Sequence, residues 1–101
     1  MANIFNVTQR AVPTTGQTVT VSNADGDIAL VIEPAGTLAT LTIATPSAPH
    51  DGQMLSIMCT QIVTALTLSV GTIIGGLGAF SVNGFMTIVY NASQSKWYRV
   101  G

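Results

Sequence analysis

The sequence predicts an all-β domain of short antiparallel strands, folded as a compact sandwich or barrel-like domain with more apolar surface than it can hide by itself. Three observations carry that prediction. Thr, Val and Ile are plentiful, which suits strands. Gly, Pro, Asn or Asp recurs about every 8–12 residues, the spacing of turns in an all-β chain, and no window holds a helical period. Finally, 48% of the 101 residues are hydrophobic and only 7% are charged, against about 25% charged in an ordinary soluble protein. A domain of this size hides roughly 60–70% of the surface its unfolded chain exposes. One small core cannot conceal so much apolar surface, so copies of the chain, a larger partner or a membrane must cover the rest.

The elements follow in order. Residues 1–16 are irregular, with a Pro, paired threonines and a Gly. They read as an arm reaching onto a neighbouring subunit or a shell, with Ile4, Phe5 and Arg10 as its contacts, or else as a first strand with a frayed end. Residues 17–101 form one domain. In "QTVTVSN" (17–23), Val19 and Val21 alternate with Thr18 and Thr20. The Asp25-Gly26 pair that follows is a hairpin-turn signal. "DIALVIE" (27–33) places Ile28, Leu30 and Ile32 on one face, "PAGT" turns the chain, and "LATLTIA" (38–44) brings Leu41 and Ile43 together. "TPSAPHDG" is a loop, since its two prolines do not suit a central strand. "QMLSIMCT" (53–60) is a strand. "ALTLSVG" (65–71) carries Leu66, Leu68 and Val70 on one face. "IIGGLG" and "VNG" read as turns. "FMTIVYN" (85–91) is apolar on both faces, as a buried strand is. "ASQSK" turns, and "KWYRV" (96–100) returns as the last strand of a terminal hairpin. The two halves share a style of strand but no residue-level repeat.

Several functions are excluded on composition. Arg10, Lys96 and Arg99 are the whole basic supply and the net charge is −1, which leaves no phosphate-binding face for nucleic acid. The uncharged, apolar stretch at 66–90 is long enough to span a bilayer. It is broken by five glycines, polar residues and Asn83, and lacks basic flanks, so no membrane association is expected. The N-terminus does not read as a signal peptide. Cys59 is the single cysteine and His50 the single histidine, too few for a metal site, and Cys59 reads as a small buried hydrophobe. Asp25 and Asp27 offer a calcium ion too few oxygens. His50 and Asp51 are adjacent in an extended loop and point apart, so no acid–base pair is expected. No cofactor and no catalysis are expected.

The terminal hairpin concentrates what is rare in this chain. It holds the only Trp and two of the three basic residues. Alternation sends Trp97 and Arg99 to one face and Tyr98 and Val100 to the other. Tyr90, Trp97, Tyr98 and Arg99 are therefore candidates to lock the core or to meet a neighbouring subunit, since interfaces favour Trp, Tyr and Arg. The stems of Lys96 and Arg99 are long enough to cover the aromatic rings while their charges stay at the rim.

"TPSAPHDGQMLSI", then "VTALTLSVGTIIGG", then "GFMTIVYNASQSKWYRVG" together resemble a module of tailed-bacteriophage fibre and virion-surface proteins, over roughly residues 44–101. The most specific pieces are Asp51-Gly52-Gln53 and Lys96-Trp97-Tyr98-Arg99. The resemblance implies a small all-β homotrimer on the virion surface, without catalytic activity. In fibres the module ends a long chain, whereas here it follows Met1 closely. That favours a free-standing capsid decoration or cement protein, with the major capsid protein as partner. The alternative is a short tail-fibre or spike module that binds a host-surface glycan or protein.

Overall fold

The structure is a computed structural model that describes residues 7–23, 26–69 and 71–101. Those residues are all-β and contain no helix. The strands are β1 (Val7–Ala11), β2 (Thr18–Thr20), β3 (Ile28–Ile32), β4 (Leu38–Ala44), β5 (Met54–Cys59), β6 (Val63–Ser69), β7 (Thr72–Ile74), β8 (Gly84–Asn91) and β9 (Lys96–Arg99). They form a six-stranded sheet, β1-β3-β5-β8-β9-β7, and a three-stranded sheet, β2-β4-β6.

The first six strands alternate between the two sheets, and each lies parallel to the strand two places on. The chain thus winds through three rungs, each giving one strand to each sheet. This is the path of a short β-solenoid, not the antiparallel sandwich or barrel that the sequence led us to expect. Alternation with a period of two fixes which side chains face inward, but it is the same for parallel and antiparallel partners. Parallel neighbours need a connection of a dozen or more residues, and here the intervening strand of the other sheet supplies it. The Asp25-Gly26 signal therefore makes no hairpin: β2 and β3 belong to different sheets, although Asp25 itself lies outside the described residues. Among the described strands, antiparallel pairing is made by β8, which pairs with β5 and with β9.

Rung spacing explains why no repeat was visible. Val7 lies beside Ile28 and Ile28 beside Leu55, so these rungs are 21 and 27 residues apart. Thr18, Thr42 and Thr67 line up in the other sheet at intervals of 24 and 25. The turns absorb the difference and the strands stay in register.

The core is a set of columns running across the rungs. Ile28, Leu55 and Ile88 form one, and Leu30, Ile57 and Met86 the next, all at most 1% exposed. Opposite them lie Val19, Leu41, Ile43, Val63 and Leu66 of the smaller sheet. The segment ending at Phe80 runs back along β6: Val63 and Phe80 exchange a pair of backbone bonds, and the Leu66 amide donates to the Gly78 carbonyl. Phe80 is thereby buried against the same core. On the first rung Gln9 stands in the column of Leu30. Its amide donates to the Thr20 carbonyl at 2.8 Å and accepts from the Ser22 amide at 3.1 Å, tying β1 to the chain beyond β2. A polar residue with its bonds made can end an apolar column without loss.

One strand was left open by the sequence and one was not foreseen. β1 falls within the first sixteen residues, where a first strand was the alternative to an arm, and its pairing with β3 makes residues 7–11 part of the sheet. β7 falls within a stretch read as turn: Thr72, Ile73 and Ile74 pair with β9, and the turn follows at Gly75, whose φ of 76° suits glycine.

Cys59 is fully buried next to Ile32, and its thiol donates to the Gln61 carbonyl at 3.2 Å. Burial raises its pKa, a shift the Gln61 carbonyl bond partly opposes. The folded chain therefore holds the proton more tightly than the unfolded chain does. Any stability from this group is full below the unfolded thiol value, about 8.5, and declines as pH rises through the folded value. At neutral pH a thiol reagent is expected to label Cys59 only after denaturant is added; stoichiometric labelling of native protein would contradict this packing.

Candidate interaction surface

The two most specific pieces of the sequence, 51–53 and 96–99, both attach to β8 and its turn. β8 and β9 form the foreseen hairpin, with Tyr90 opposite Trp97. Asp51-Gly52-Gln53 docks on its turn. Asp51 Oδ1 accepts from the Ala92 amide at 2.9 Å, the Gly52 amide donates to the Tyr90 carbonyl, and the Tyr90 amide donates to the Gln53 carbonyl. Gly52 has a φ of 79°, the left-handed conformation that lets the chain turn so tightly. Gln53 is fully buried, and its Nε2 donates to the Gly26 carbonyl at 2.8 Å. The loop before β5 thus clasps both the last hairpin and the entry to β3. Asp51→Ala should lower stability by about 1 kcal/mol, the usual worth of such a bond at an exposed site. The check is a urea midpoint shift with an unchanged slope.

Each residue singled out in the sequence can now be placed. Trp97 is 1% exposed and lies in its own chain's core, between Tyr90 and Ile73 in register, with the Tyr90 ring centroid 5.2 Å away. Tyr90 and Tyr98 are half-buried, and Tyr98 points to the outer face of the sheet. Arg99 is exposed, and its Nε donates to the Gly101 carbonyl at 3.1 Å. Arg10 stands exposed on β1, at the sheet edge. Ile4 and Phe5 lie outside the described residues. The His50 ring contacts the Asp51 backbone carbonyl while the Asp51 carboxylate serves Ala92, so the two side chains make no acid–base pair. Among the described residues no three His, Cys, Asp or Glu side chains cluster as a metal site would need. No helix there is long and apolar enough to cross a membrane.

The outer faces of the two sheets differ sharply. On the smaller sheet Thr18, Thr42 and Thr67 form one outward row, and Thr20 and Ser69 flank the buried Ala44 in the next. The larger sheet presents four outward rows. Arg10, Val31, Met58 and Phe85 form the first; Thr8, Ala29, Ser56 and Thr87 the second; Met54, Val89, Tyr98 and Ile74 the third; Asn91, Lys96 and Thr72 the fourth. Met58, Ile74, Phe85 and the adjoining Val100 are 39%, 43%, 65% and 62% exposed. Ser56 and Thr87 satisfy one another across the second row at 3.0 Å. This face corrects the reading of "FMTIVYN" as a strand buried on both sides: Met86 and Ile88 are buried, but Phe85 is open. The signal was present, since a strand apolar on both faces needs two covers, and this chain provides one.

At one corner of the face a shallow groove of about 620 Å³ runs past Asp51, Val89, Asn91, Tyr98 and Val100. It offers an aromatic ring beside a carboxylate and an amide. A scan against protein-family models, a search of curated proteins and a search of solved structures each return no match for this chain.

Proposed function

We propose that the protein is a non-enzymatic structural component of a tailed-bacteriophage virion, a capsid decoration or cement protein that holds the shell as a homotrimer. The observation that carries this reading is the bare outer face of the larger sheet. It is mainly apolar, with Arg10 and Lys96 at its margins, whereas soluble monomers seldom leave such a patch uncovered. The resemblance of residues 44–101 to virion-surface modules gives the setting, and the two pieces that carry it are both bonded to β8 and its turn. The major capsid protein is the second partner, the site is the virion surface, and no cofactor is involved.

A second reading has its own observation. The groove beside Tyr98 places a ring next to Asp51 and Asn91, the groups with which a sugar is stacked and hydrogen-bonded. A tail-fibre or spike module that binds a host glycan would use it. Imaging of whole particles carrying a tagged copy separates the two: density on the capsid shell is expected, and density confined to the tail would replace decoration with adhesion.

A further inference from the structure

We infer that the groove beside the closing hairpin binds one ring of an uncharged sugar, with the C–H face of the ring on Tyr98 and two neighbouring hydroxyls shared between Asp51 and Asn91. The inference rests on the glycan reading of that groove, and names the sugar class and the atoms that hold it.

Fixed polar atoms are the first argument. Asp51 is pinned by one oxygen, since its Oδ1 accepts from the Ala92 amide at 2.9 Å. Asn91 is pinned in the same way: its Oδ1 accepts from the Ser93 amide at 3.0 Å and from the Ser93 hydroxyl at 2.7 Å. Two donors on that atom settle which end of the Asn91 amide is oxygen. Each side chain therefore keeps one atom unspent, Oδ2 of Asp51 as an acceptor and Nδ2 of Asn91 as a donor. Adjacent hydroxyls of a sugar match this pair. One donates to the carboxylate, and the oxygen of the next accepts from the amide. The turn holds both side chains before any ligand arrives, so little ordering cost is left for binding.

The floor is the second argument. Val89, Tyr98 and Val100 line the same groove. Val89 and Tyr98 are cross-strand partners on the outward face, Tyr98 is half-buried, and Val100 is exposed. A pyranose has C–H groups on one face and hydroxyls around its rim. The negative face of an aromatic ring attracts the first, and the polar atoms take the second. An apolar lining with a few placed polar groups is the usual make-up of a small-molecule site, and about 620 Å³ lies within the usual range of such sites.

Charge narrows the class. Among the described residues, Asp51 is the one ionised side chain that lines the groove. Lys96 is the cross-strand partner of Asn91 but does not line it. A carboxylate where a hydroxyl should dock repels an acidic sugar, so the groove favours a ring without charge.

Saturation-transfer NMR on the whole chain tests this. The probes are the methyl glycosides of glucose, galactose, mannose and N-acetylglucosamine, with glucuronate as the acidic probe. Asp51→Asn and Asn91→Asp each keep an oxygen for the Ala92 or Ser93 bonds. They turn the unspent acceptor into a donor and the unspent donor into an acceptor, so circular dichroism should not change. Thr67→Ala, on the other sheet, is the control. At least one glycoside should receive saturation from the parent and from the control. Its dissociation constant should rise roughly tenfold or more in each groove variant, as loss of a hydrogen bond to such a group implies. A parent that transfers to none of the glycosides, or to glucuronate alone, overturns the inference. Binding that survives both groove substitutions also overturns it. Particle imaging tests the adhesion reading separately. Tail density without sugar binding keeps adhesion and sinks the groove assignment, while shell density with binding lost in the groove variants does the reverse. Should one variant misfold, the other decides.

Discussion

Trp97→Ala is expected to lower the melting temperature by roughly 12–40 °C. Truncating a large aromatic in a core costs about 3–5 kcal/mol, and each kcal/mol moves the midpoint of a domain this size by about 4–8 °C. The site leaves little room for relief. Trp97 is 1% exposed and held between Tyr90 and Ile73. The cavity would open under the hairpin that caps the last rung, and Tyr98 and Val89, which pair across that hairpin, would lose their support. A loss this large is a substantial share of the roughly 5–15 kcal/mol that holds a small domain. Gln94→Ala, on the exposed turn of the same hairpin, should stay within about 0.5 kcal/mol of the parent. Thermal unfolding followed by circular dichroism makes the comparison, and equal midpoints for the two variants would show that the hairpin does not lock the fold.

Ile57→Ala is the second large effect, at about 2–5 kcal/mol. Ile57 occupies the middle of the core column, with Leu30 of the preceding rung on one side and Met86 of the closing hairpin on the other. A rung-built protein is held by contacts between neighbouring rungs, and this side chain serves two such contacts at once. Both flanking side chains are at most 1% exposed, so collapse into the space requires the strands themselves to shift. Denaturant unfolding should show a lower midpoint, and a residual native fraction should retain strand signal. An unchanged midpoint would mean that the rungs do not share this column.

How much of this was legible depended on the range of the signal. β4 is read from the sequence with its observed bounds, because Leu41 and Ile43 alternate with threonines and a Pro-Gly turn and a proline loop flank them. The terminal hairpin was equally plain, since "NASQSK" between two strand-like runs is a local turn. β1 was obscured by the irregular composition around it, and only its pairing with β3 makes it a strand. β7 was hidden by the glycines that follow it. The clasp between Asp51 and the Ala92 amide joins positions 41 apart, and no local pattern encodes such a meeting.

The sequence by itself determined the all-β character, the inward set Ile28, Leu30, Ile32, Leu41 and Ile43, the closing hairpin, and an excess of apolar surface over what one small core can hide. Each of these follows from the chemistry of neighbours a few residues apart or from composition. Tertiary structure alone decided that β1, β3 and β5 lie parallel, that rungs of 21 to 27 residues stack in register, and that the apolar excess gathers on the outer face of one sheet while threonines coat the other. Those outcomes depend on which strands become partners. Partner choice is settled by the packing of whole columns across rungs, and a period-two alternation is blind to it.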